Sequence, residues 1–192
     1  MAKNDQQSFP DIAANAVLLV DVINDLEFEG GKAILEHALP MAERLAALKA
    51  KAREAAVPII YLNDNFGQWR SDFRAVVEQN VNGDVRGQPI AQRLQPESED
   101  YFVLKPKHSG FFGTTLETLL RFLQTRRLVI GGLTTDMCVH FTAMDAYLRD
   151  YKVHIPCDGS AASSPAIHEQ AIRYMARQLK ADTAPVSDVD FP

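Results

Sequence analysis

Short, apolar, β-branched runs alternate along this chain with longer stretches in which apolar residues recur every three or four positions. That alternation is the signature of parallel strands buried beneath crossover helices, and it predicts an α/β fold. The strand candidates are Ala16 to Asp21, Val57 to Leu62, Tyr101 to Lys105, Leu128 to Gly131, Val153 to Pro156 and Thr183 to Val186, the last weakened by Pro185. Between them, Met41, Leu45, Leu48 and Ala52 keep a helical spacing, with Pro40 suited to a first turn. Thr114 and Glu117 have the spacing of a capping box ahead of Leu116, Leu119, Leu120 and Leu123. Ser164-Pro165 opens a further helix carrying Ile167, Ala171, Ile172, Met175 and Leu179. The stretch from Asn63 to Asp100 differs: it is rich in Asn, Gln, Gly and Arg and holds one modest helical pattern, Phe73 to Val81. Long connections of this kind are often functional.

At 192 residues the chain has the length of one domain, with a core expected over about residues 14–187 behind a short polar N-terminal tail. Hydrophobic residues make up 46% and charged residues 23%, enough apolar material for a true core. The net charge of -5, without a basic block, lacks the electrostatic footprint of a nucleic-acid binder. No apolar run reaches the roughly 18 residues that span a bilayer, and the start MAKNDQQSF is not a signal peptide, so a cytoplasmic protein without membrane partners is expected. Two cysteines are too few for a disulfide scaffold. The five histidines form no HxxxH pair and no CxxC is present, so neither a metal nor another cofactor is expected.

In an open parallel sheet, ligands bind beyond the carboxyl ends of the strands. Here the first strand ends in Asp21, the second in Asn63-Asp64-Asn65, the third in Lys105, and the fourth runs through Gly131-Gly132 into Leu133-Thr134-Thr135-Asp136-Met137-Cys138. An acid, a base and a thiol gather along one edge. Cys138 falls where a strand end turns into a helix, a setting that, with an ammonium nearby, is expected to lower the thiol pKa. With Asp21 as proton acceptor and first-turn N–H groups as an oxyanion hole, these are the parts of covalent acyl transfer. Taken singly, each residue has a plain alternative: Cys138 as a small buried hydrophobe, Asp21 as a helix cap, Lys105 as a solvated charge. Their coincidence at three strand ends favours the chemical reading.

The runs Leu18-Leu19-Val20-Asp21-Val22-Ile23-Asn24-Asp25, Leu104-Lys105-Pro106-Lys107-His108-Ser109-Gly110-Phe111-Phe112-Gly113-Thr114 and Gly131-Gly132-Leu133-Thr134-Thr135-Asp136-Met137-Cys138-Val139 resemble the three motif regions of the isochorismatase-like cysteine hydrolases. The likeness extends from about Ala16 to Val186, and the cysteine motif, followed by Thr142, Asp145 and Ala146, is its most specific part. The resemblance implies a Rossmann-like three-layer α/β/α sandwich around a six-stranded parallel sheet. It also implies Asp21 as general base, Lys105 as electrostatic partner, Cys138 as nucleophile, and a cis peptide between Leu133 and Thr134. The N–H groups of Thr134 and Cys138 would then form the oxyanion hole.

Lys107 competes with Lys105, but the motif's lysine stands six residues before its phenylalanine, which matches Lys105 and Phe111. Asp25 competes with Asp21 from a position beyond the strand end. His140 follows Cys138 by two helical positions, a rotation of about 200° that turns it away. The nicotinamidase branch of the family carries an aspartate and histidines after the second strand to bind metal. This chain reads Asn63-Asp64-Asn65-Phe66-Gly67-Gln68-Trp69-Arg70 there, which points to a metal-independent branch. Asn65, Trp69 and Arg70 are candidate contacts for a planar or carboxylate-bearing small-molecule substrate, with Phe111 as a pocket wall; Trp69 equally suits a role as a loop anchor. The reaction expected is cleavage of a small amide, ureido or related carbon–nitrogen bond. The alternatives are vinyl-ether hydrolysis by the Asp–Lys pair alone, or a binder that has lost its chemistry. The family's habit implies a homo-oligomer, a dimer or tetramer.

Overall fold

The computed structural model describes residues 12–65 and 72–192. Six strands form one parallel sheet: β1 (Asn15–Val20), β2 (Ile59–Asp64), β3 (Tyr101–Lys105), β4 (Arg127–Leu133), β5 (Lys152–His154) and β6 (Ser160–Ala161). Their order is β3-β2-β1-β4-β5, with β6 pairing β4 beyond the point where β5 leaves it. Strand order reverses between β1 and β4, which makes their carboxyl ends the topological switch point of the sheet.

Each strand presents alternate residues to opposite faces, and both faces are apolar. On one side Val17, Leu19, Ile59, Tyr61 and Val129 pack against α1 (Gly31–Glu54), α2 (Phe73–Asn82) and α3 (Gln88–Arg93). On the other, Ala16, Leu18, Val20, Ile60, Leu62, Leu128 and Ile130 meet α4 (Leu116–Phe122), α5 (His140–Tyr147) and α6 (Pro165–Gln178). The result is a three-layer sandwich, as the resemblance implies.

Four sequence expectations need correction. The sixth strand is Ser160–Ala161 and not Thr183 to Val186. The later segment follows β5 through an isolated bridge between Asp182 and His154 and a bond from the Cys157 N–H to the Thr183 carbonyl; Pro185 has no N–H to extend the ladder, and a short 3-10 turn, Val186–Asp188, follows. Helix α1 begins at Gly31, so Pro40 is an interior residue and not an N-terminal one. The Thr114–Glu117 capping box is not made: the Thr114 hydroxyl donates to the Gly110 carbonyl, while Glu117 pairs with Arg121 and Arg149. The long connection after β2 holds α3 as well as the expected α2, whose N-terminus is capped by the Asp72 carboxylate accepting from the Ala75 N–H at 2.9 Å.

The end of that connection is tied down by a buried polar cluster. The Lys49 ammonium of α1 donates to the Tyr61 hydroxyl and the Gln95 carbonyl, both at 2.7 Å, and Tyr61 in turn donates to the Leu94 carbonyl at 2.7 Å. A buried ammonium must be satisfied in this way to offset its lost hydration. Among the described residues no helix is long and apolar enough to cross a membrane.

Candidate active site

Four adjacent strand ends build the site. Asp21 follows β1 directly; at φ 50° it occupies the left-handed region, which aspartate tolerates better than most residues. Its N–H donates to the Leu62 carbonyl at 2.8 Å and so carries the β1–β2 ladder one step past the strand. Asp64, the last residue of β2, donates its N–H to Asp21 Oδ1 at 2.7 Å. Lys105, the last residue of β3 and fully buried, reaches over the end of β2 to place Nζ 2.8 Å from Asp21 Oδ2 and 3.5 Å from Asp64 Oδ2. Only a long, flexible side chain can span from β3 to the acid after β1.

The fourth contribution comes from β4. At its end Gly132 takes φ 122°, and an added Cβ would lie 2.1 Å from the Val20 carbonyl oxygen, so only glycine permits the close approach to β1. The Leu133–Thr134 peptide bond is cis. A π-helical turn, Thr135–Val139, then leads into α5 and carries Cys138, whose Sγ stands 3.5 Å from the Lys105 Nζ that also contacts the Asp21 carboxylate. Turns of this kind are rare and cluster at functional sites.

The residues after the cysteine hold the lysine loop in register with this turn. Thr142 Oγ1 accepts from the Gly110 N–H at 3.0 Å, and Ser109 Oγ donates to Asp145 Oδ2 at 2.5 Å. Asp145 in turn binds Arg149 at 2.6 Å. From α6, His168 reaches Thr135 Oγ1 at 2.8 Å through Nδ1 and the Cys157 carbonyl at 2.8 Å through Nε2. Since a carbonyl only accepts, Nε2 carries the proton there.

The electrostatics differ from the sequence expectation in one respect. Burial pushes the Asp21 carboxyl above its usual range, and Lys105 offsets this only in part. Burial opposes the charge on Lys105, but Asp21, Cys138 and Asp64 outweigh it and hold the ammonium above its usual value. Burial, and then the Asp21 charge, push the Cys138 thiol up to about 12, against the pull of Lys105. A lowered thiol pKa is therefore not found. With one ammonium beside two buried acidic groups, burial and their mutual repulsion favour keeping a proton on one of them. Moving that proton from sulfur to carboxylate creates a thiolate without changing the net charge of the group.

The cluster opens into a cavity of about 240 Å³, walled by Asn24, Leu26, Phe28, Ile34, Leu133 and Met137 among others. That is at the small end for a ligand site.

A model of the isochorismatase domain matches residues 15–190. The chain belongs to the isochorismatase family. It is 39% identical over 170 residues to the uncharacterized isochorismatase family protein YaaI of Bacillus subtilis (strain 168), covering 88% of this chain and 93% of that one. It is 28% identical to the ureidoacrylate amidohydrolase RutB of Methylorubrum extorquens (strain DSM 6343 / CIP 106787 / DM4), covering 85% of this chain and 76% of the relative. Among solved structures it superposes on the N-carbamoylsarcosine amidase of Thermoplasma acidophilum with a TM-score of 0.70 at 25% identity, covering 92% and 98% of the two chains. The protein is a hydrolase of the isochorismatase type.

In this isochorismatase-family chain, Asp21, Cys138 and Thr134 line one cavity, and Lys105, fully buried and outside its lining, contacts both the acid and the thiol. Lys107 is exposed, as is Cys157, and both cysteines are free. Phe111 is not a pocket wall. It is buried in the core with Tyr151 at 6.1 Å and the Arg149 guanidinium 4.8 Å above its ring, because the Thr142–Gly110 bond draws its segment inward onto α5. Asn65 is buried at the end of β2 with its N–H on the Lys105 carbonyl at 3.1 Å, and does not line the cavity. Trp69 and Arg70 lie outside the described residues. Two residues were missed. Asn24 lines the cavity, its Oδ1 accepting from the Leu26 N–H at 2.8 Å. His108 does so too, with Nδ1 3.7 Å from Cys138 Sγ. The signal for His108 was its place three residues after Lys105; the one histidine weighed as a partner for the cysteine was His140, on the cysteine's own helix. His140 is turned from the thiol and packs on Phe141 and Tyr174 instead.

Proposed function

We propose that this hydrolase is a metal-independent cysteine amidohydrolase that cleaves a small amide, ureido or related carbon–nitrogen bond through a thioester on Cys138. The observation that carries the reading is the single ammonium of Lys105, buried and in direct contact with both the Asp21 carboxylate at 2.8 Å and the Cys138 sulfur at 3.5 Å. In the first half-reaction Asp21 takes the thiol proton as Sγ attacks the carbonyl carbon. The N–H groups of Thr134 and Cys138 hold the developing oxyanion. Asp21 passes the proton to the leaving nitrogen, and water then cleaves the thioester. Lys105 stays charged throughout and stabilises whichever of the two groups is negative.

The substrate class is supported by the two relatives named for ureido and carbamoyl substrates, and by a cavity of about 240 Å³ that admits only a small molecule. Metal independence is supported by the residues after β2, where Asp64 is held to Lys105 and no histidine follows from Asn65 to Arg70. A dimer or tetramer in the cytoplasm belongs to the same reading.

Cys138→Ala provides the test. Amide cleavage is expected to fall at least about a thousandfold, as removal of a catalytic nucleophile does elsewhere. Unchanged cleavage by the variant would overturn the covalent route, and survival of vinyl-ether cleavage alone would assign the chemistry to Asp21 and Lys105.

A further inference from the structure

The loop that follows Asp21 carries a hydrogen-bond donor that the proposed reaction does not use. Asn24 is buried, only 8% exposed, and lines the catalytic cavity. Its Oδ1 accepts from the Leu26 N–H at 2.8 Å, and because a backbone N–H only donates, this bond fixes which end of the amide is oxygen. The NH2 end donates to no atom among the described residues. Nor is it one of their side-chain atoms sealed in the interior without a partner, which are Asn63 Oδ1, Asn80 Oδ1 and His140 Nε2. It is therefore open to the cavity. The loop itself is held from both sides. Asn63 donates to the Ile23 carbonyl at 2.6 Å, the Gly87 N–H donates to the Asp25 carbonyl at 2.8 Å, and the Arg86 guanidinium donates to the Leu26 carbonyl. Leu26, Phe28, Ile34, Leu133 and Met137 make the walls around it apolar, so the donor is costly to leave unpaired once a ligand displaces water.

We propose that Asn24 is a substrate-binding residue that selects molecules carrying a second oxygen acceptor, a carboxylate or a further carbonyl, close to the bond that is cleaved. This rests on the covalent reading above and deepens it. There the oxygen of the scissile carbonyl takes the N–H groups of Thr134 and Cys138, which leaves the Asn24 amide for a different oxygen. An amide NH2 offers protons and no acceptor, so it pairs with a carbonyl or carboxylate and discriminates against an alkyl group in the same place. With about 240 Å³ available, that second oxygen stands only a few bonds from the reacting carbon.

Three probes of nearly equal size test the assignment: malonamide, malonamate and 3-methylbutanamide. All share an amide on a methylene, and they end respectively in a carbonyl, a carboxylate and a pair of methyl groups. Their affinities are to be measured by ligand-observed NMR titration in Cys138→Ala, where no acyl-enzyme forms, with Asn24 native, changed to Asp or changed to Ser. Asn24→Asp keeps the oxygen that accepts from Leu26 and loses the donor; Asn24→Ser keeps a shorter acceptor, adds no charge and puts no N–H in the cavity. With Asn24 present, malonamide or malonamate is expected to bind at least about tenfold more tightly than 3-methylbutanamide, and which of them does so tells a carbonyl ligand from a carboxylate. A malonamide advantage should vanish in both variants and a malonamate advantage in Asn24→Ser, with 3-methylbutanamide little changed. Equal binding of the three probes with Asn24 present, or an advantage that persists in the variants, would mean that Asn24 only closes the loop, and would overturn the inference. Failure of the covalent reading is distinguishable, because it shows as amide cleavage by Cys138→Ala, whereas the binding comparison does not pass through the sulfur.

Discussion

In the mechanism proposed, activity turns at the residue scale on one proton moving between Asp21 and Cys138. Both groups are pushed up by burial, the thiol to about 12, and the ammonium between them is held above its usual value. The sign follows directly. Asp21 acts as a base only when ionised, so acylation is lost as pH falls through a carboxyl pKa raised above 3.8. The rate of amine release should therefore show an acid limb with its midpoint above 3.8, while Cys138 alkylation by iodoacetamide should climb through pH 9 without levelling off. A plateau in alkylation by pH 9 would mean a thiolate of ordinary or lowered pKa. That these three residues meet was readable from strand-end positions and motif order. Their protonation was not, because it depends on how dry the site is, and a sequence does not state burial. His108 was missed for a related reason: a contact across 30 positions of chain leaves no mark in local spacing.

At the scale of elements, the site is aimed by the end of β4. Gly131 and Gly132 bring that strand against β1 and the Gly159 carbonyl; an added Cβ at Gly131 would lie 2.5 Å from Gly159 O, and one at Gly132 2.1 Å from Val20 O. Gly132→Ala is expected to lose about 1–3 kcal/mol of stability in urea titration from the φ of 122° alone, and more from the clash. Because the strand end carries the cysteine turn, activity in the folded fraction should fall with it. A variant of native stability and turnover would show that β4 and β1 do not need this approach. The strands were legible where β-branched residues run together, as in β1, β2 and β4. Two-residue β6 has no such run; its pairing is created by the β4 end it leans on. The start of α1 was hidden because Gly30, at φ 87°, precedes the helix without a capping side chain. Helix α3 was hidden because it is six residues long, with Pro89 in its first turn.

For the molecule as a whole, the order β3-β2-β1-β4 lines up Lys105, Asp64, Asp21 and the Cys138 turn along one edge, where the proposed chemistry would take place. Both faces of the sheet are sealed by helices, so the strand ends at the switch point are where polar groups can be held dry and still meet a small molecule. That much of the fold was legible because alternation of strand and helix dictates parallel, right-handed crossovers and leaves few topologies. The pocket walls were less so: Phe111, expected beside the substrate, packs in the core, and the apolar walls Leu26, Phe28 and Ile34 come from the loop after β1 and the first turn of α1. The most direct measurement is mass spectrometry of acid-quenched enzyme after mixing with a panel of small amides and ureido acids. A substrate should leave one acyl group per chain, mapped to the peptide containing Cys138 and absent from the one containing Cys157. Turnover of that substrate with no acyl mass at Cys138 at any quench time would contradict a covalent mechanism at this sulfur.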